Sequence, residues 1–250
     1  MTQLRAASVA LVEDGQPPIV RMLVFDAAGR RHEIVEKLAI VSAADQLPVA
    51  DAAIACLIRD ASLGPSGRRI VAVDIACPWG CETVDGRTVL DVFEDQLAAS
   101  DEVWLAIDGR RVSTALVGTN DGLNYGRFFD RQPVEYQAVL PIACLGWYAP
   151  EFAALVDEMR EDDRLDDQPG PFAAFGYRRD LAEAAEHPTA LADAIHGSCD
   201  RELLAHHFPF DGARSEWVIN STDAVLVVAG QIVIRGRCWR YADHSSIANG

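Results

Sequence analysis

Short runs of β-branched and other apolar residues, separated by turn formers, fill the first hundred positions of the chain. A regular helical period is nearly absent there. The clearest strand-length runs are residues 19–25, 31–42, 52–59, 69–75 and 87–93. Their number and spacing are typical of a small antiparallel barrel or sandwich. The sequence therefore predicts a β-rich region over residues 1–100.

From residue 101 onward the pattern mixes strands with helices. Asp108-Gly109 stands between two strand-like runs and supplies the positive φ angles that a type I′ hairpin turn requires. Residues 150–165 carry apolar side chains at helical spacing, and Asp180 with Glu183 forms a capping box for a second helix that is interrupted at Pro188. A third helix over residues 199–208 and terminal strands at 217–219, 224–228, 231–235 and 238–241 follow.

This order of elements predicts an α+β protein. Strands come first and helices are added later, which differs from the strand–helix alternation that builds a parallel sheet. We expect a β-rich region at 1–100 and a region at 101–250 that mixes helices with an antiparallel sheet. The hairpin at 102–117 can extend the first sheet, so the two regions need not fold independently.

The charge balance is strongly acidic. There are 22 Lys and Arg against 38 Asp and Glu, a net charge of −16. Nucleic acids and anionic lipids are bound by clustered cations, so this balance argues against both as partners. No run approaches the ~20 apolar residues of a membrane-spanning helix. The apolar patch at 6–12 is interrupted by Ser8 and followed by acids, unlike a secretory segment. We therefore expect a cytoplasmic protein.

Two cysteine arrangements invite a metal or redox interpretation. Cys77 and Cys81 enclose Pro-Trp-Gly, but no second cysteine pair completes a zinc site, and redox pairs have two intervening residues instead of three. The soft ligands near the C-terminal helices have poor spacing for a shared metal, since none of the histidines are four residues apart. These ligands are His187, His196, Cys199, His206 and His207. The sequence therefore predicts no cofactor and no metal.

A cysteine nucleophile is the alternative that the sequence leaves open. If Ser198 caps the third helix, Cys199 lies in its first turn, where the helix dipole favours a thiolate. His206 or His207 would be the base, while the charge of Asp200 works against the thiolate. This arrangement predicts a cysteine-dependent hydrolase or transferase.

The function that the sequence favours is non-enzymatic binding of a basic protein partner. No phosphate-binding loop, dinucleotide fingerprint or nucleophile elbow occurs in the chain. Seven acids cluster between residues 157 and 167, and aromatic residues in a preceding loop could anchor a partner. The expected contact residues are Asp157, Glu158, Glu161, Asp162, Asp163, Asp166 and Asp167, with Tyr125, Phe128 and Phe129. A toxin-neutralising immunity protein is the concrete version of this hypothesis.

Overall fold

The chain divides into two compact units, Met1–Ser100 (unit 1) and Asp101–Gly250 (unit 2). The structure is a computed structural model. It describes residues 2–42, 52–75, 82–83, 88–98, 102–119, 132–145, 187–198, 200–211 and 214–241.

The expected α+β class is wrong, because the protein is mainly β. The described residues form three sheets of five, four and six strands. The α-helices among them are short: α1 (Leu38–Val41), α2 (Pro188–Ser198) and α3 (Asp200–His207). The predicted helix at 150–165 lies outside the described residues. No helix in the described ranges is both long enough and apolar enough to cross a lipid bilayer.

Unit 1 consists of two antiparallel sheets. Its strands are β1 (Thr2–Arg5), β2 (Ser8–Glu13), β3 (Ile19–Phe25), β4 (Arg31–Lys37), β5 (Ala53–Leu63), β6 (Arg69–Ile75), β7 (Glu82–Thr83), β8 (Val89–Phe93) and β9 (Leu97–Ala98). One sheet has the order β8-β6-β5-β1-β9 and the other β2-β3-β4-β7. The predicted strands at 19–25 and 69–75 are confirmed with the same bounds. The predicted strand at 31–42 ends at Lys37 and continues as α1.

Alternation explains how β3 and β4 build one buried face. Val20, Met22 and Val24 are fully buried, and the residues between them face outward. Since antiparallel partners share a face, Val24 lies beside the buried His32, and Met22 beside Ile34. The chain forms strands here because every second side chain is either apolar or, like His32, able to form a hydrogen bond within the core.

The two sheets of unit 1 are joined at the β3–β4 turn. The backbone N–H of Ala27 donates to the Asp91 carbonyl in β8 at 2.7 Å. The Gln96 side-chain amide donates to the Phe25 carbonyl at 2.9 Å, and its oxygen accepts from the Phe93 N–H at 2.9 Å. These bonds fix the turn between Phe25 and Arg31 against the end of β8.

Unit 2 is built on one six-stranded sheet. Its strands are β10 (Trp104–Ile107), β11 (Arg110–Val112), β12 (Val117–Thr119), β13 (Val134–Pro141), β14 (Trp217–Val228) and β15 (Gln231–Arg240). The order is β11-β10-β13-β15-β14-β12, and β12–β14 is the parallel pair. The predicted turn at Asp108-Gly109 is confirmed, with φ angles of 48° and 73°. The predicted terminal strands join into the long strands β14 and β15.

Helices α2 and α3 cover one face of this sheet. Pro188 is the first residue of α2, a position where its missing N–H costs no helical hydrogen bond. Buried side chains from the helices and from the sheet form one cluster, in which Ile195, Leu203 and Phe208 are fully buried. Burial of each such side chain contributes about 1.5–3 kcal/mol. This packing holds α3 in place and so positions the histidines at its end.

Candidate functional site

Most of the residues that the sequence singled out lie outside the described residues. These are Cys77, Cys81, Tyr125, Phe128, Phe129, Asp157, Glu158, Glu161, Asp162, Asp163, Asp166, Asp167 and Cys199. Whether the acids and aromatics form one surface therefore stays a prediction. His206 and His207 are described, and so are three cysteines and the polar groups of both cores.

His206 and His207 end α3 side by side. Their ring centroids are 4.8 Å apart at an interplanar angle of 79°. His206 is exposed and His207 is half-buried. Burial, and secondly the charge of His206, lower the pKa of His207. His207 is therefore an uncharged imidazole at neutral pH, which is the form that a general base needs.

The first turn of α3 is far from these rings. Asp200 begins the helix and is 8% exposed. At a rise of about 1.5 Å per residue, the backbone of His207 lies roughly 10 Å further along the axis than that of Asp200. The positive N-terminal end of the helix dipole and the two histidines therefore lie at opposite ends of α3. The pairing of Cys199 with either histidine remains a hypothesis.

The described cysteines are protonated thiols. Cys56 and Cys238 are buried in strands, and burial raises the pKa of each to about 12. Burial also raises the pKa of Cys144. The Cys56 thiol donates to the Thr2 carbonyl at 3.5 Å. All three described cysteines are free, and the buried Cys56 and Cys238 pack in their strands as small apolar side chains.

The strongest buried polar cluster is the Asp26 cluster, formed by Asp26, Arg30 and His32 in unit 1. Asp26 Oδ1 accepts the backbone N–H groups of Ala28 at 3.0 Å and Arg30 at 2.8 Å. Asp26 Oδ2 accepts Arg30 Nε at 2.7 Å and lies 3.1 Å from His32 Nε2. Burial raises the pKa of Asp26, but the bonds from His32 and Arg30 outweigh it and hold that pKa below its ordinary value.

This cluster has the composition of a catalytic Asp–His pair but not its accessibility. The side chains of Asp26 and His32 are both 2% exposed, so no substrate reaches the imidazole. Asp26 closes the turn to β4 by bonding two backbone N–H groups, which is the usual role of an aspartate in a turn. The turn formers Asp26 and Gly29 indicate this turn in the sequence, but the burial of His32 was not predicted. The cluster stabilises the hairpin.

Tyr136 is the second notable buried polar side chain. It is 2% exposed in the core of unit 2, and burial raises its pKa. An interaction with Thr222 partly offsets this rise in pKa, although the Tyr136 hydroxyl has no hydrogen bond of good geometry among the described residues. The phenol is therefore neutral. It belongs to the hydrophobic core of unit 2.

A cavity of about 710 Å³ lies in unit 1. Its polar wall consists of Gln3, Arg5 and Ser42, and alanines line most of the remainder. Its described lining residues include no histidine, cysteine or carboxylate. Within the described ranges, no group of three His, Cys, Asp or Glu is arranged to hold a metal ion.

The sequence matches no protein-family model, no curated protein and no solved structure.

Proposed function

We propose that the protein is a non-enzymatic interaction protein that binds a basic protein partner. Its acidic segment at 157–167 would provide the electrostatic surface, and Tyr125, Phe128 and Phe129 would provide apolar anchors. A toxin-neutralising immunity protein, which would bind a nuclease or another basic effector, is the concrete version.

The observation that carries this proposal is that many of the arginines form ion pairs within the chain. Nine arginines in the described residues form ion pairs with carboxylates. They are Arg21, Arg30, Arg31, Arg59, Arg68, Arg69, Arg111, Arg214 and Arg237. These cations are engaged within the chain, while 38 acids outnumber all 22 cations. The field outside the protein is therefore negative, and it attracts cationic partners.

Unit 2 holds most of this surplus. Residues 101–250 contain 24 acids and 13 bases, a net charge of −11, whereas residues 1–100 contain 14 acids and 9 bases, a net charge of −5. Seven of the acids of unit 2 fall within residues 157–167, with Arg160 and Arg164 as the cations between them. Such a concentration of charge raises the association rate of an oppositely charged protein.

The experiment is affinity capture from the native host with the purified protein as bait, followed by identification and purification of the captured protein. The association rate is then measured for the wild type and for a variant in which Asp162, Asp163, Asp166 and Asp167 are changed to Lys. We expect slower association at low salt and a difference that shrinks as salt is added. An unchanged rate would remove this segment from the interface.

A matched control separates local from global charge. Changing the exposed acids Asp14, Asp60, Asp193 and Glu216 to Lys gives the same net charge, −16 + 8 = −8. If the association rate falls by the same factor in both variants, the effect comes from the overall charge of the protein. An acidic partner, or turnover of a small molecule by the purified protein, would contradict the proposal.

A cysteine-dependent hydrolase or transferase is the second candidate. The observation that favours it is the lowered pKa of His207, which supplies an unprotonated base at neutral pH. The pH dependence of iodoacetamide labelling tests it. Labelling of Cys199 well below pH ~8.5, the ordinary cysteine pKa, would support it. Cys56 and Cys238 serve as inert internal controls, because burial raises their pKa to about 12.

A further inference from the structure

Strand β2 is an apolar strand at the edge of its sheet. It pairs with β3 on one side, and β2 ends the order β2-β3-β4-β7. Five of its six residues are exposed. Leu11 and Val12 are 46% and 47% exposed, unusually high values for strand-forming apolar side chains. An edge strand also presents unpaired backbone N–H and C=O groups that can bind another strand.

The other sheet edges among the described strands are short, charged or covered, whereas β2 has only an irregularity against β3 near its C-terminal end, between Leu11 and Glu13. Strands β7 and β9 have two residues each. Strand β11 carries Arg110 and Arg111, and the Asp91 carbonyl of β8 already accepts the Ala27 N–H. Strand β12 is buried, and its Thr119 N–H donates to the Phe208 carbonyl. Short, charged or covered edges prevent association between sheets.

We infer that β2 pairs with β2 of a second copy of this chain in an antiparallel, two-fold symmetric arrangement. The pairing would join the two four-stranded sheets into one eight-stranded sheet. Residues 8–12 (Ser-Val-Ala-Leu-Val) carry no charge, so the two-fold axis brings apolar side chains together without opposing like charges. It would also satisfy the free backbone groups and cover Leu11 and Val12.

Charges at the two ends of β2 complement each other across such an axis. Glu13 and Asp14 are exposed at its C-terminal end, and Arg5 is exposed just before its N-terminal end. Within the part of the chain that the structure describes, none of the three forms an ion pair, whereas the six other described arginines of unit 1 each pair with an acid. Antiparallel strands run in opposite directions, so the C-terminal end of one β2 lies beside the N-terminal end of the other. Glu13 and Asp14 of one copy would therefore lie near Arg5 of the other copy.

The interface is small. A six-residue strand is about 20 Å long, and pairing through it covers less than the ~800 Å² per partner of a stable complex. The dimer should therefore be weak. This predicts a dimer that forms with increasing protein concentration.

Sedimentation velocity of the full chain, at concentrations from about 1 μM to about 1 mM and at physiological salt, measures this association. We expect a monomer at the low end and a dimer at the high end for the wild type. Leu11→Lys should stay monomeric throughout, because a lysine on an edge strand opposes pairing. The matched control is Val89→Lys, which is 49% exposed on the β8 edge and should dimerise like the wild type.

Circular dichroism shows whether each variant is folded, and Val12→Lys replaces Leu11→Lys if the latter unfolds. A charge exchange then tests the orientation. Arg5→Glu and Glu13→Arg should each weaken the dimer, and the double variant should restore it. A wild type that is monomeric at all concentrations would overturn the inference. So would a dimer that Leu11→Lys leaves intact, or single variants that the double variant does not rescue.

Discussion

Gly236 offers the sharpest test of how unit 2 is packed. It lies in the middle of β15, opposite Tyr136 in β13 and Thr222 in β14. A Cβ atom at this position would overlap the Ser221 carbonyl oxygen and would lie 2.9 Å from Cε1 of the Tyr136 ring. Strand β14 carries irregularities at Ile219/Ser221 and Thr222/Ala224, which press its backbone against β15.

The substitution Gly236→Ala should therefore be costly. Adding a methylene-sized group to a well-packed core costs about 1–3 kcal/mol when side chains can adjust. Here the obstacle is a backbone carbonyl inside a sheet, so we expect at least about 3 kcal/mol. At 1.4 kcal/mol per factor of ten, this is more than about a hundredfold in the folding equilibrium. The melting temperature should fall by roughly 6–12 °C for a unit of this size.

Urea unfolding followed by tryptophan fluorescence measures this cost, since Trp104, Trp217 and Trp239 lie in the sheet of unit 2. Gly15→Ala is the matched control: the nearest atom to its Cβ is the Pro17 oxygen at 3.5 Å, and we expect a change within about 0.5 kcal/mol. A Gly236→Ala protein as stable as the control would refute the close approach of β14 to β15.

Two further predictions concern stability. Asp26→Asn should destabilise the protein by about 1.5–3 kcal/mol at pH 7, because it removes a charged hydrogen-bond acceptor. The pKa of Asp26 is lowered from 3.8, so its stabilisation is complete above pH 3.8 and is lost as pH falls through the lower folded-state pKa. The difference in unfolding free energy between the wild type and the variant, measured by urea unfolding, should therefore shrink only below about pH 4. A difference that does not depend on pH would contradict this prediction. Ile195→Ala, in the fully buried face of α2, should cost about 2–5 kcal/mol, whereas Asp193→Ala on its exposed face should be close to neutral.

Features that depend on neighbouring residues alone were predicted well. The predicted Asp108-Gly109 turn adopts positive φ angles at two successive residues, and so does Ala229-Gly230, with 48° and 72°, between the strands predicted at 224–228 and 231–235. A glycine at the second position makes this conformation accessible, and the flanking apolar runs fix the strands. The bounds of β3 follow in the same way from alternation bounded by Pro18 and Asp26.

The fold class was wrong because strand length depends on distant partners. Residues 217–219 and 224–228 were interpreted as separate strands, since polar residues stand between them. They form one strand because β15 pairs along the whole of Trp217–Val228, with irregularities that accommodate the polar segment. The strand predicted at 231–235 likewise ended just before Gly236. The lack of a side chain at this glycine is instead what lets β14 approach, and a single sequence does not contain that information.

The Asp26 cluster was missed for a related reason. The aspartate and Arg30 form a local turn that the sequence indicates. Whether His32 is buried beside them depends on the sheet partner of β4 and on the bond from Ala27 to Asp91, which is far along the chain. A buried Asp–His pair and an exposed turn therefore have the same sequence pattern.

The two proposed interactions respond to salt in opposite directions. Two copies that each carry a charge of −16 repel each other, so screening that repulsion should strengthen pairing through β2. The contact of Arg5 with Glu13 or Asp14 would weaken with salt, but an exposed ion pair contributes at most about 1 kcal/mol. Attraction between an acidic surface and a basic partner, by contrast, should weaken as salt rises. Sedimentation and association kinetics measured from about 50 to about 500 mM salt, where the Debye length falls through ~10 Å, should therefore show tighter self-association and slower capture of the partner. If both interactions weaken together, charge pairs rather than the apolar edge hold the two copies together.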